Sequence, residues 1–254
     1  MPNANPPLGF LDNNFHDPDL DRFVDRVQRL EPAIAVIGDA YDRRHAESLQ
    51  EAADALHERY DDLQCVTVPK CREAFDVFDD VVLGYPNGYS TRDPQEYSDP
   101  VDWRGRDIHV LGGNPLSQHE VIQELTQPTL AGHEPANIVG VDGNGVIKAA
   151  YMGEYWTPNG YEPADHLSIR ETVEQSLLEI KGFWQQHGLW PDSTPLQEYG
   201  PAVMQPDDLV YATGGDIRTR EALEKAYVAT YDDELTLAFE SETAQRFVEY
   251  RDNL

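Results

Sequence analysis

The chain has 254 residues, enough for one α/β barrel or two smaller domains around a large core. Its 47 acidic residues against 19 basic ones leave a formal charge of −28, and Lys70, Lys148, Lys181 and Lys225 are its only lysines. This is the surface of a salt-adapted, haloarchaeal-type protein; it argues against binding nucleic acid through phosphates, except in molar salt, where screening acts over about 3 Å.

In chain order, LGFLD (8–12) predicts a strand ending at Asp12. Asp17 and Pro18 then predict a helix start, with Phe23, Val24, Val27 and Leu30 on one face. AIAVIGD (33–39) reads as a buried strand ending at Asp39, followed by a helix carrying Ala46, Leu49, Ala53, Leu56 and Tyr60. CVTVPK (65–70) is a third strand ending at Lys70. Cys65 reads as a buried strand residue and Cys71 as core filler; with no other cysteine and no Cys/His cluster of zinc spacing, neither a disulfide scaffold nor a structural zinc is expected. A short helix leads to a fourth strand, VVLGYPNG (81–88), and then to a long polar and aromatic loop, 85–106, holding Tyr85, Tyr89, Tyr97 and Trp103.

IHVLGG and NIVGVDG, within 107–145, are apolar runs without polar alternation, as strands covered on both faces must be. Between them Asn114 and Pro115 occupy the N-cap and first position of a helix, so the stretch forms a strand, helix, strand unit of a parallel sheet. Asp142 falls at the carboxyl end of the second strand, ahead of Gly143, Asn144 and Gly145. A second long loop is expected at 143–165. Ser168 and Glu171 then form a capping box for a helix with Ile169, Val173, Leu177, Ile180 and Trp184 facing the core and Gly188 ending it. Beyond 196, LVYAT, a helix at 217–228, LTLAF and a helix at 241–252 either complete the fold or form an appendage.

Six strand-like runs alternating with helices, with polar residues at nearly every carboxyl end, favour a TIM-type (β/α) barrel, complete or trimmed, over an open sheet. The expected domains are 1–195, a barrel carrying the site, and 196–254, a small C-terminal α/β extension. No secretory signal and no apolar run of transmembrane length occurs, so a soluble cytoplasmic protein without membrane contact is expected.

Asp12, Asp39 and Asp142, with Lys70, form the candidate chemical set. Two carboxylates facing one substrate can divide glycosidic bond cleavage between nucleophile and acid or base, with no metal or cofactor. The structural alternative is that Asp12 only opens a turn with Asn13 and Asn14, and that Asp39 only caps the helix that follows. Gly84, Gly112 and Gly113 either allow tight turns or present backbone N–H groups to a planar ligand. Tyr85 and the other loop aromatics offer surfaces that stack a base or sugar ring. His109 and His166 read as structural.

The strand ends LDNNF, IGD, VPK, LGYPNG, HVLGG and VGVDG, in this order, resemble those of the guanine transglycosylases, barrel enzymes that exchange guanine for a 7-deazaguanine in tRNA, and of their virus-associated homologues that modify DNA. The resemblance covers roughly 8–145. It implies that Asp142 is the nucleophile, Asp12 the first, proton-transferring aspartate and Asp39 the base-binding one, with Gly84 on the glycine strand. Lys70, Tyr85, Gly112, Gly113, Asn114 and Asn144 are the further candidate substrate contacts, and the resemblance implies that the substrate is a 7-deazaguanine or similar base with DNA or RNA. The chain departs from that family at Pro69 and Lys70, and it lacks the basic segment after the nucleophile and the cysteine zinc module. The chain also resembles proteins of haloarchaea and their viruses. Two other readings stay open: a non-catalytic protein that binds a nucleotide or a protein, and a barrel hydrolase using the same carboxylates.

Overall fold

The computed structural model of the protein describes residues 9–13, 18–88, 90 and 92–190. Two compact units divide it: Pro7–Gly143, and a second whose described residues are 144–190. The C-terminal elements expected beyond 196, and Asp17, Tyr89 and Asn14, lie outside the described residues.

The first unit is built on β1 (Phe10–Asp12), β2 (Ile34–Ala40), β3 (Gln64–Pro69), β4 (Val82–Pro86), β5 (Asp107–Leu111) and β6 (Asn137–Val141), all parallel and paired in chain order. Between them run α1 (Leu20–Leu30), α2 (Arg43–His57), α3 (Ala74–Val77), a 3-10 turn (Pro94–Glu96), α4 (Pro100–Trp103) and α5 (Pro115–Thr126). Asp19 caps α1 by accepting the Arg22 N–H at 3.0 Å, so the helix begins two residues later than the Asp17 and Pro18 pattern predicts. Asp42, not Asp39, caps α2, accepting the His45 N–H at 2.8 Å. Ala46, Leu49, Ala53 and Leu56 are the buried face of α2, whereas Tyr60 lies past its end and donates to the Gln28 carbonyl. Burying leucines such as Leu49 and Leu56 contributes about 1.5–3 kcal/mol each.

The expected TIM-type barrel is not what forms. β1 pairs with β2 alone and β6 with β5 alone, so the described strands make an open six-stranded sheet, a curled half-barrel. At about 4.8 Å per strand, a flat sheet would hold β1 and β5 about 19 Å apart. Instead the Phe10 ring on β1 lies 5.4 Å from the His109 ring on β5. Val36, Val66, Val68 and Val82 line the concave face, with Phe10, Ile34, Leu111 and Val139 packed against them. Curling brings polar strand ends together without the shear and strand number that closure needs, which is why their convergence misled the barrel reading.

The expected 143–165 loop is likewise folded. The second unit contains α6 (Gly145–Tyr151), an antiparallel hairpin of β7 (Glu154–Thr157) and β8 (Gly160–Pro163), and α7 (Ile169–Gln186). Ser168 and Glu171 form the capping box of α7 as its sequence predicts. Its buried residues are Thr172, Ser176, Phe183 and Trp184, and Leu177 is exposed, so the buried face is rotated from the predicted one. The rotation follows from Ser176, whose hydroxyl accepts the Trp156 N–H at 3.0 Å, and from Trp156 meeting Phe183 edge to face. Among the described residues no helix is long and apolar enough to cross a membrane.

Candidate active site at the carboxyl edge

All six strands of the first unit point the same way, so their carboxyl ends share one edge. Period-two alternation puts Phe10 and Asp12 on one face of β1, Val66, Val68 and Lys70 on one face of β3, and His109 and Leu111 on one face of β5. Val36 and Asp39 are three residues apart and would ordinarily face opposite ways. A register shift between Val36 and Gly38 corrects this: Val36 stands opposite Val66, and Asp39 opposite Val68. A second shift, between Ile108 and His109, sets Gly140 opposite His109 and carries β6 into Asp142.

The edge gathers three carboxyl groups, one lysine and one histidine. Desolvation pushes Asp12 up to about 7, helped by the charges of Asp142 and then Asp39 and opposed by the Asn13 N–H. The Asp12 residue itself is open to solvent, so this carboxyl is crowded by protein and negative charge yet reachable by water. Burial also raises Asp142, against the Gly112 N–H, which donates to its Oδ1 at 2.5 Å, and against His109. His109 is 3% exposed and is shifted down by burial, with Asp142 opposing; its Nε2 is buried with no hydrogen-bond partner among the described residues. Asp39 is raised by burial, against Lys70, the Tyr41 hydroxyl and His45. Tyr41 donates to Asp39 Oδ2 at 3.1 Å, and Lys70 Nζ lies 3.7 Å from the same oxygen.

The structure thus brings Asp12, Asp39, Lys70 and Asp142 to one edge, with Gly112 bound to Asp142. The other predicted residues have structural places. A Cβ on Gly84 would come within 2.6 Å of Leu111 Cδ1 and 2.8 Å of Val68 Cγ2, so this glycine lets the concave face close-pack. Tyr85 packs its ring 4.8 Å from that of Trp103. Gly113 has φ +80°, and a Cβ there would strike Asn87 and Ser117. Asn114 caps α5, accepting the N–H groups of Leu116 and Ser117 at 2.9 and 3.2 Å. Asn144 belongs to the second unit, at the start of α6.

Sequence reasoning missed His109 and Gln118. The only signal for His109 was its period-two match with Leu111 on the face that also carries the strand-end acids. Gln118 reads as one more polar residue of α5, yet it is buried and its Nε2 donates to the carbonyls of Gly112 at 2.9 Å and Asp142 at 2.5 Å, clamping the two strand ends together. Among the described residues no cluster of three or more His, Cys, Asp or Glu could hold a metal ion.

A crowded carboxyl that titrates near neutrality beside a hydrogen-bonded carboxylate is suited to dividing proton transfer from nucleophilic attack. The model of a family of unknown function, DUF6610, matches residues 1–185. No curated protein and no solved structure matches the chain.

Proposed function

The chain belongs to the DUF6610 family, and we propose for it a glycosyl transfer at the carboxyl edge of the curled sheet, acting on a base or nucleoside. The observation that carries this reading is the pairing of Asp12, held up to about 7, with Asp142, anchored by the Gly112 N–H. In the proposed reaction Asp142 attacks the anomeric carbon and forms a covalent glycosyl intermediate as the base leaves. Asp12, protonated, gives its proton to the departing base. As a carboxylate it takes a proton from the incoming one. Asp39 holds the base edge. The order of the strand ends from LDNNF to VGVDG supports guanine or a 7-deazaguanine as the base, and DNA or tRNA as its carrier.

The test is base exchange in molar KCl, with labelled guanine or a labelled 7-deazaguanine offered to DNA and to tRNA in separate reactions, beside Asp142→Asn. Label should enter one polymer and be lost in the variant while its circular dichroism is unchanged. No label in either polymer, or full activity in the variant, would overturn the reading. The solvent exposure of Asp12 favours one second reading, hydrolysis by the same carboxylates. Release of free base without an acceptor base would select it.

A further inference from the structure

Lys70 stands out among the four lysines of this chain. Elsewhere the cations are mostly arginines, and Lys148 and Lys181 are exposed, but Lys70 is 3% exposed at the carboxyl end of β3. Arginine serves ion pairing at least as well, but it cannot give up its proton in a protein, whereas a buried lysine can. The backbone around Lys70 is fixed: its N–H donates to the Ala40 carbonyl at 2.9 Å, and its carbonyl accepts Arg92 Nη1 at 2.8 Å. Its Nζ donates to Ser90 Oγ at 2.7 Å, and that hydroxyl donates onward to the Arg92 carbonyl at 2.7 Å. Asp39 Oδ2, at 3.7 Å from Nζ, is close enough to exchange a proton through a small movement and too far for a tight hydrogen bond. The side chain of Asp39 is 22% exposed, so the amine lies just beneath the open edge. Near Asp39 the buried Tyr97 hydroxyl has no hydrogen-bond partner among the described residues. An amine that burial pushes toward its neutral form, lined by a carboxyl group and hydroxyls, fits a polyhydroxylated carbonyl compound better than an anion.

We propose that Lys70 is an amine nucleophile that forms a Schiff base with the aldehyde carbon of a ring-opened pentose. The choice of a pentose rests on the glycosyl-transfer reading; the nucleophile does not. Neutral Nζ adds to the aldehyde carbon, and one of its protons passes to the carbonyl oxygen to give a carbinolamine. Protonated Asp39 donates to that hydroxyl, which leaves as water while the nitrogen lone pair closes the C=N bond. The product is an iminium with the Asp39 carboxylate as its counterion.

The experiment uses the full chain in molar KCl with 2-deoxyribose, and separately with glycolaldehyde, in the presence of sodium cyanoborohydride, which reduces C=N to a stable secondary amine. Peptide mass mapping should find the deoxyribose adduct, the sugar less one oxygen, concentrated at Lys70 over the exposed Lys148 and Lys181. Lys70→Arg should reduce the intact-protein adduct to the level that the remaining amines, Lys148, Lys181, Lys225 and the N-terminus, give. Labelling at Lys70 no greater than at Lys148 and Lys181 overturns the nucleophile, and this comparison within the wild-type protein does not depend on how the variant folds. Labelling of Lys70 by glycolaldehyde alone overturns the pentose. Base exchange is measured on the same preparation: trapping without exchange leaves the lysine standing and removes the glycosyl-transfer reading, and exchange without trapping does the reverse.

Discussion

His109 occupies the space that any side chain at position 140 would need: a Cβ on Gly140 would come within 2.6 Å of its Nδ1 and 2.8 Å of its Cε1. Phe10 lies against the same ring, which has little room to yield. Gly140→Ala should therefore cost about 1–3 kcal/mol, the usual cost of overpacking. In the double variant with His109→Ala most of that cost should disappear, because the methyl then fills vacated space. Urea unfolding of the four proteins in molar KCl gives the cycle. Strictly additive costs would show that the ring and the glycine are not in contact.

The contrast between His109 and Asp142 shows what was legible in the sequence. The six parallel strands, the Asn114 cap and the Ser168 capping box follow from local chemistry, namely unbroken apolar runs and side chains that satisfy helix N–H groups. Asp12, Lys70 and Asp142 could be placed at one edge because parallel strands fix where their ends point. Three things depended on long-range geometry instead. The register shifts that aim Asp39 and pair Gly140 with His109 insert a residue without any sequence mark. Whether a parallel sheet closes depends on its full strand number and shear, so the barrel could not be told from a curled open sheet. Tyr85 looked like a ligand-stacking loop residue because nothing local reveals that Trp103, eighteen positions on, packs against it.

Gln118 should matter more than its place on a polar helix suggests. Replacing it with Leu removes both clamping hydrogen bonds and leaves the carbonyls of Gly112 and Asp142 without that donor. A loss of about 1–3 kcal/mol is expected from unsatisfied buried groups. Because the clamp sets where Asp142 stands relative to Gly112, base-exchange activity should fall further than stability alone explains. A Gln118→Leu protein that unfolds at the wild-type urea midpoint would show that the clamp carries no weight.

Asn114 gives a way to separate helix capping from substrate contact. Its Oδ1 accepts two N–H groups at the start of α5, so Asn114→Ala should cost about 0.5–2 kcal/mol and speed amide exchange in the first turn. Asn114→Asp keeps an acceptor at the cap and adds a negative charge where the helix dipole favours one. It should preserve both stability and base exchange. Wild-type stability with lost activity in Asn114→Asp would instead make this residue a substrate contact.

Asp12 should make stability fall as the solution becomes less acidic. Unfolded, its carboxyl titrates at the ordinary 3.8; folded, it is pushed up to about 7 by desolvation and by Asp142 and Asp39. Between these values the folded chain holds a proton that the unfolded chain has released, so this group destabilises the fold progressively as pH rises from about 4 to about 7. Asp39 and Asp142, also raised, act in the same direction, while His109, shifted down, acts in the opposite one below its ordinary 6.5. Asp12→Asn removes one of these contributions and keeps the rest. The variant should match the wild-type Tm near pH 4 and exceed it increasingly up to about pH 7, the gap opening where the unfolded chain has lost the Asp12 proton and the folded chain still holds it, and staying level above. Thermal unfolding of both proteins in molar KCl from pH 4 to 8 measures it. A Tm difference that does not change with pH would mean that Asp12 titrates alike in the folded and unfolded chains, and would remove it as the proton carrier near neutral pH.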